Sequence, residues 1–142
     1  MKLTFFLSAK TDAQDIDLSM VAKELDLQDC ILRKRADYPQ ATILAGAARD
    51  QLCYEIRDEN QDLLANMVDL LQAKLAGRAV KVRQLCEELL MSAGVEVVIY
   101  QTNEESASLI LSLDNILFLA SLQAEFAIVV EKHNGDYHKF VS

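Results

Sequence analysis

The stretch Val95-Glu96-Val97-Val98-Ile99-Tyr100, then Ala107-Ser108-Leu109-Ile110-Leu111-Ser112, then Phe126-Ala127-Ile128-Val129-Val130 decides the fold. Val95, Val97 and Ile99 alternate with Glu96 and Val98, which is the period of a half-buried strand. After a polar turn, Ala107, Leu109 and Leu111 repeat that alternation. Ser112 then opens a short apolar helix, because a serine hydroxyl at that position satisfies a free backbone N–H of the first turn. Phe126, Ile128 and Val130 close the unit. It reads strand, turn, strand, capped helix, strand, and the rest of the chain is expected to pack on it.

Working outward toward the N-terminus, a helix from about Arg78 to Gly94 carries Val82, Leu85, Cys86 and Leu89 on its inner side. Before it, a helix running to about Ala76 buries Leu63, Met67, Leu70, Leu71 and Leu75, with caps expected from Asp58 to Asn60. Gly77 stands where a left-handed terminating residue belongs. One long helix kinked at Gly77 is the alternative. Ala41 to Ala45 and Gln51 to Arg57 read as a hairpin, the second strand placing Leu52, Tyr54 and Ile56 on one face. Pro39 ends whatever precedes it. Leu18, Val21 and Leu25 form the buried stripe of a helix from about Asp17 to Leu25, capped by Asp15 or Asp17. Leu3, Phe5 and Leu7 make the first strand.

The fold class is therefore α+β: a single domain, a mostly antiparallel sheet and helices packed on one face. The order β-α-β-β-α-α-β-β-α-β would suit a ferredoxin-like, pseudo-duplicated arrangement. The domain is expected over residues 1–132, with a polar C-terminal tail over 133–142. A chain of 142 residues folds as one ordinary domain and buries roughly 68% of its unfolded surface, so stability needs neither metal nor disulfide. Its 51% hydrophobic content excludes a disordered chain.

Composition also bounds function. A net charge of −8 disfavours nucleic acid and anionic membranes as partners, because both demand excess Lys and Arg. No apolar run approaches the ~20 residues of a membrane span, and the opening Met1 to Lys10 reads as a strand, not a leader. Cys30, Cys53 and Cys86 are odd in number and widely spaced, which suits reduced thiols in a cytoplasmic protein better than disulfides or zinc. No metal or cofactor is expected. His133 and His138, the only histidines, lie in the tail without a packed shell to orient them. With four glycines, Gly46, Gly77, Gly94 and Gly135, no phosphate-cradling loop assembles. No enzyme is expected.

The carboxylates are the remaining chemistry. Asp12, Asp15, Asp17, Glu24, Asp26 and Asp29 face only Lys23 within residues 11–30. Asp50, Glu55, Asp58, Glu59, Asp62 and Asp69 face only Arg57 within residues 50–69. They cap and solvate helices; on one surface they would also steer a basic protein partner. Tyr38 and Tyr54 are the candidate aromatic anchors of such an interface. Lys74, Arg78, Lys81 and Arg83 cluster around Gly77, where Arg83–Glu87 pairing at i, i+4 is expected and the rest are expected in solvent. The run Arg33-Lys34-Arg35, with Asp37, offers an alternative ligand-binding segment at the sheet edge.

Several stretches resemble a bacterial family known as domain of unknown function 4279. They are the first strand, Asp15-Ile16-Asp17-Leu18-Ser19 through Leu27, Arg33-Lys34-Arg35-Ala36-Asp37, Val95 to Tyr100, Ser108 to Ser112, and Phe126 to Val130. The chain departs from the family at Ala36, where glycine is usual, and at Cys53-Tyr54, where tryptophan is frequent. The resemblance implies a role of the immunity type. On that view a non-enzymatic, cytoplasmic protein-binding module neutralises a basic toxin domain through an acidic surface. The alternative is a small-ligand-binding or regulatory domain.

Overall fold

The computed structural model describes residues 1–57, 63–102 and 109–133, the side chains of 101, 102, 132 and 133 excepted. The chain forms a five-stranded sheet in the order β2-β3-β1-β4-β5. The strands are β1 (Lys2–Ala9), β2 (Ile31–Arg33), β3 (Gln51–Arg57), β4 (Met91–Thr102) and β5 (Glu125–His133). The helices are α1 (Leu18–Glu24), α2 (Gln40–Leu44), α3 (Leu64–Leu75), α4 (Ala79–Leu89) and α5 (Leu113–Ser121), with a 3-10 turn at Arg35–Asp37.

β1 is the central strand, antiparallel to β3 and to β4. Its alternation sorts the two faces: Leu3, Phe5, Leu7 and Ala9 are buried, while Lys2, Thr4, Phe6 and Ser8 are half-buried. Residues paired with the buried set continue the same face, Leu52 and Ile56 on β3 and Met91, Ala93, Val95 and Val97 on β4. Against that face lie Val21 and Leu25 around α1, Met67, Val68, Leu71 and Leu75 of α3, Val82 and Leu85 of α4, and Phe118 and Leu119 of α5. One core thus joins the helices to one side of the sheet, as an α+β layer requires.

Four expectations change. Ala41 to Ala45 is not a strand: α2 occupies it, opened by Pro39 at the N-cap, whose carbonyl accepts the Thr42 and Ile43 N–H groups at 2.9 and 3.1 Å. The partner of β3 is instead Ile31–Arg33. The helix expected to reach Gly94 ends at Leu90, in the left-handed region at φ 54°, and β4 begins at Met91. Gly94 lies inside β4 opposite Phe6, whose ring fills the space a Cβ would need. Residues 109–112 carry no strand, and β5 pairs with β4 in parallel, so α5 supplies the crossover that parallel strands need. The ferredoxin-like, pseudo-duplicated arrangement does not follow from this order. β5 runs to His133; the rest of the expected tail, 134–142, the caps at 58–60 and the start of the expected 107–111 strand lie outside the described residues.

Two local devices set the helices. Asp17 caps α1, accepting from the Met20 N–H at 3.1 Å. Ser112 and Asn115 form a reciprocal capping box on α5, at 3.1 and 3.0 Å. Buried Asn115 also donates to Asp69 of α3 at 2.7 Å, which locks α5 onto its neighbour.

Candidate functional site

The chemistry of the chain converges where β3 begins. Asp50, immediately before that strand, is 1% exposed. Its carboxylate accepts the Ile16 N–H at 2.9 Å, the Arg35 N–H at 2.8 Å and the Lys34 ammonium. Lys34 also donates to the Asp15 carboxylate and the Ile16 carbonyl, each at 2.7 Å. Asp50 thereby ties together the loop before α1, the segment after β2 and the head of β3. Burial works against its charge, but the Lys34 ammonium and the Ile16 and Arg35 N–H groups outweigh burial and hold its pKa below the ordinary aspartate value. Burial likewise works against the Lys34 charge; Asp15 and Asp50 outweigh it and raise that pKa.

The loop before α1 is anchored at a second point. Gln14 donates to the Leu89 and Leu90 carbonyls at 2.7 and 3.1 Å and accepts the Thr11 N–H at 2.8 Å, fastening the loop to the end of α4. Between these anchors lies a hollow of about 480 Å³ lined by Asp12, Gln14, Asp15, Lys34, Arg35 and Asp50. Asp12 and Asp15 thus share one concavity with Lys34 and Arg35, although sequence assigned the two pairs to competing sites. Asp15 is the open side of the cluster, its side chain 94% exposed.

The other acids go elsewhere. Asp29 pairs with Lys74 at 3.5 Å, Asp26 with Arg78 at 3.8 Å and Glu24 with Lys81 at 3.0 Å. The basic cluster around Gly77 therefore meets half of the first acidic cluster, instead of standing in solvent. Arg83 does not pair with Glu87: no ion pair joins them, and the Arg83 Nε is buried without a hydrogen-bond partner among the described residues. Tyr54 lies half-buried with Lys74 5.4 Å above its ring, and Tyr38 carries Arg33 at the same distance, so neither is a bare anchor. Glu55 sits on the opposite sheet face beside Arg57 at 3.4 Å. Asp37 accepts the Lys34 N–H at 2.8 Å and closes the 3-10 turn. Asp58 and Glu59 lie outside the described residues.

Sequence reasoning did not single out Asp50 or Gln14 as site residues. Asp50 stood in an acidic run without a mark of burial; its one clue was its place directly before an alternating strand. Burial pushes the thiols of Cys30, Cys53 and Cys86 upward in pKa, and all three are free. No group of His, Cys, Asp and Glu suited to a metal occurs among the described residues, and no described helix is long and apolar enough to cross a membrane.

Fold and site together define an α+β domain with a mixed, mostly antiparallel sheet and a charged hollow at its β2–β3 end. Comparison with protein-family models, with curated proteins and with solved structures finds no match.

Proposed function

We propose that the chain is a non-enzymatic protein-binding module of the immunity type, acting in the cytoplasm to neutralise a basic toxin domain. The observation that supports this is the disposition of Asp12, Asp15 and Asp17: all three lie on one anchored loop, and Asp15 is almost wholly exposed at the rim of the hollow. Lys34 bridges Asp50 and Asp15, which leaves the exposed side of the Asp15 carboxylate and the nearby Asp12 carboxylate to meet a cationic side chain from a partner. Among the described residues, burial raises the thiol pKa values and three donors occupy Asp50, so neither offers a ready nucleophile or a free buried base, which favours binding over catalysis. Titration calorimetry against a basic toxin domain, sought among the products of the genes beside this chain's own, tests the proposal. Tight binding that weakens about tenfold or more in the Asp12→Asn, Asp15→Asn, Asp17→Asn triple variant supports it; equal affinity of that variant overturns it.

A small-ligand or regulatory domain is the alternative. Its support is the convergence of Lys34, Arg35 and Asp15 on a hollow within the ~300–1,000 Å³ range of ligand sites. It predicts a raised Tm with a small charged ligand in the absence of any protein.

A further inference from the structure

The α5–β5 side of the molecule carries apolar surface that no described element covers. On α5, Leu113 is 70% exposed, Ile116 50% and Leu117 58%, at i, i+3 and i+4, so they form one stripe on the helix. Leu109 and Ile110 are exposed just ahead of the helix, Ile128 and Val130 are exposed on β5, and among the described residues β5 is the last strand in the sheet order, with one edge unpaired. Together these seven residues expose surface of the same order as the ~800 Å² each partner gives a standard interface. An apolar edge strand left bare is an aggregation hazard, and natural proteins cover or charge such edges. Here the described central residues Phe126 to Val130 carry no charge at all.

We propose that the cover is a second copy of this chain, with β5 pairing antiparallel to β5 across a two-fold axis and the α5 stripes meeting above the join. Antiparallel edges are self-complementary, which is what a two-fold interface requires. The register follows from the strand itself. Centring the axis on Ile128 would set Glu125 opposite Glu131 of the partner subunit. Centring it on Val129 pairs the whole of β5, sets Glu131 opposite Ala127 and Ile128 opposite Val130, and places no acid opposite an acid. β2 and β5 are opposite edges of the sheet, so the dimer leaves the Asp12–Asp50 hollow open at each far end.

Sedimentation of the full chain from about 1 to 100 μM in 0.15 M salt tests this. The expected result is twice the 15.9 kDa chain mass, retained in 0.5 M NaCl because the contact is apolar. Leu117→Glu, at an exposed position, is expected to leave circular dichroism intact and to weaken association at least tenfold. Val129→Cys is expected to give a disulfide-linked dimer on mild oxidation, since paired Cα atoms across an antiparallel join lie ~4.5–5.5 Å apart, within disulfide reach. A monomer throughout the range overturns the proposal, as does a dimer that folded Leu117→Glu does not weaken. A chain that dimerises only after residues 134–142 are removed also overturns it, in favour of that segment as the cover.

Discussion

Lys34 places its ammonium on the carboxylate of Asp50, a side chain that is 1% exposed and also holds the Ile16 and Arg35 N–H groups. This contact joins the three segments that shape the hollow, so it should matter to stability before it matters to binding. Removing one partner of a buried, hydrogen-bonded pair strands the groups left behind. Asp50→Ala is expected to cost about 3 kcal/mol, read as a lowered urea midpoint with an unchanged slope. Lys34→Met, which leaves Asp50 its two backbone donors, should cost less, about 1–2 kcal/mol.

The same pair fixes a pH dependence. The folded pKa of Asp50 lies below the unfolded value of about 3.9, so its contribution is present above that value and is lost as pH falls through the folded pKa. The folded pKa of Lys34 lies above about 10.4, so its contribution is present below that value and fades as pH rises through the folded pKa. Chemical denaturation from pH 2 to 11 should show stability flat around neutrality and falling at both ends. Asp50→Asn should flatten the acid limb, whereas an equally steep limb in that variant would place the titrating group elsewhere.

Gly94 is required by a ring, not by its own dihedrals. Phe6 on β1 lies over it, and an added Cβ would collide with that ring. Gly94→Ala is therefore expected to destabilise by about 2 kcal/mol through overpacking. Shortening the neighbour with Phe6→Leu in the same chain should recover part of that loss. If the two changes simply add, the packing relationship is wrong.

Asn115 caps α5 and reaches Asp69 from a fully buried position. Asn115→Ala removes a cap and strands the Ser112 N–H, an expected loss of about 2 kcal/mol. Amide exchange should rise first in α5. Because α5 also carries the exposed Leu113–Leu117 stripe, the variant should loosen self-association as well.

Sequence showed the layers better than the connections. Leu3, Phe5 and Leu7, the α1 stripe, the Asp17 and Ser112 caps and the closing strand at Phe126–Val130 all fall where their periodicity places them. Periodicity failed where a short apolar run has no length to separate strand from helix. Ala41-Thr42-Ile43-Leu44 is a short apolar run with β-branched Thr42 and Ile43, yet a helix opens there after Pro39. Gly94 read as a helix terminator because its true partner, Phe6, is remote in sequence. The site was legible as charge but not as pairing. Nothing local in Glu24, Asp26 or Asp29 reveals that Lys81, Arg78 and Lys74 face them, whereas Asp12 and Asp15 remain at the hollow.

The central claim is that the anchored loop with Asp12, Asp15 and Asp17 is the surface that meets a basic protein. Hydrogen exchange of the full chain, alone and saturated with a basic partner domain found among the products of neighbouring genes, tests this most directly. The account predicts new protection across residues 10–17 and 34–37, lost when salt releases the partner. Unchanged exchange in both segments of a saturated complex would contradict it.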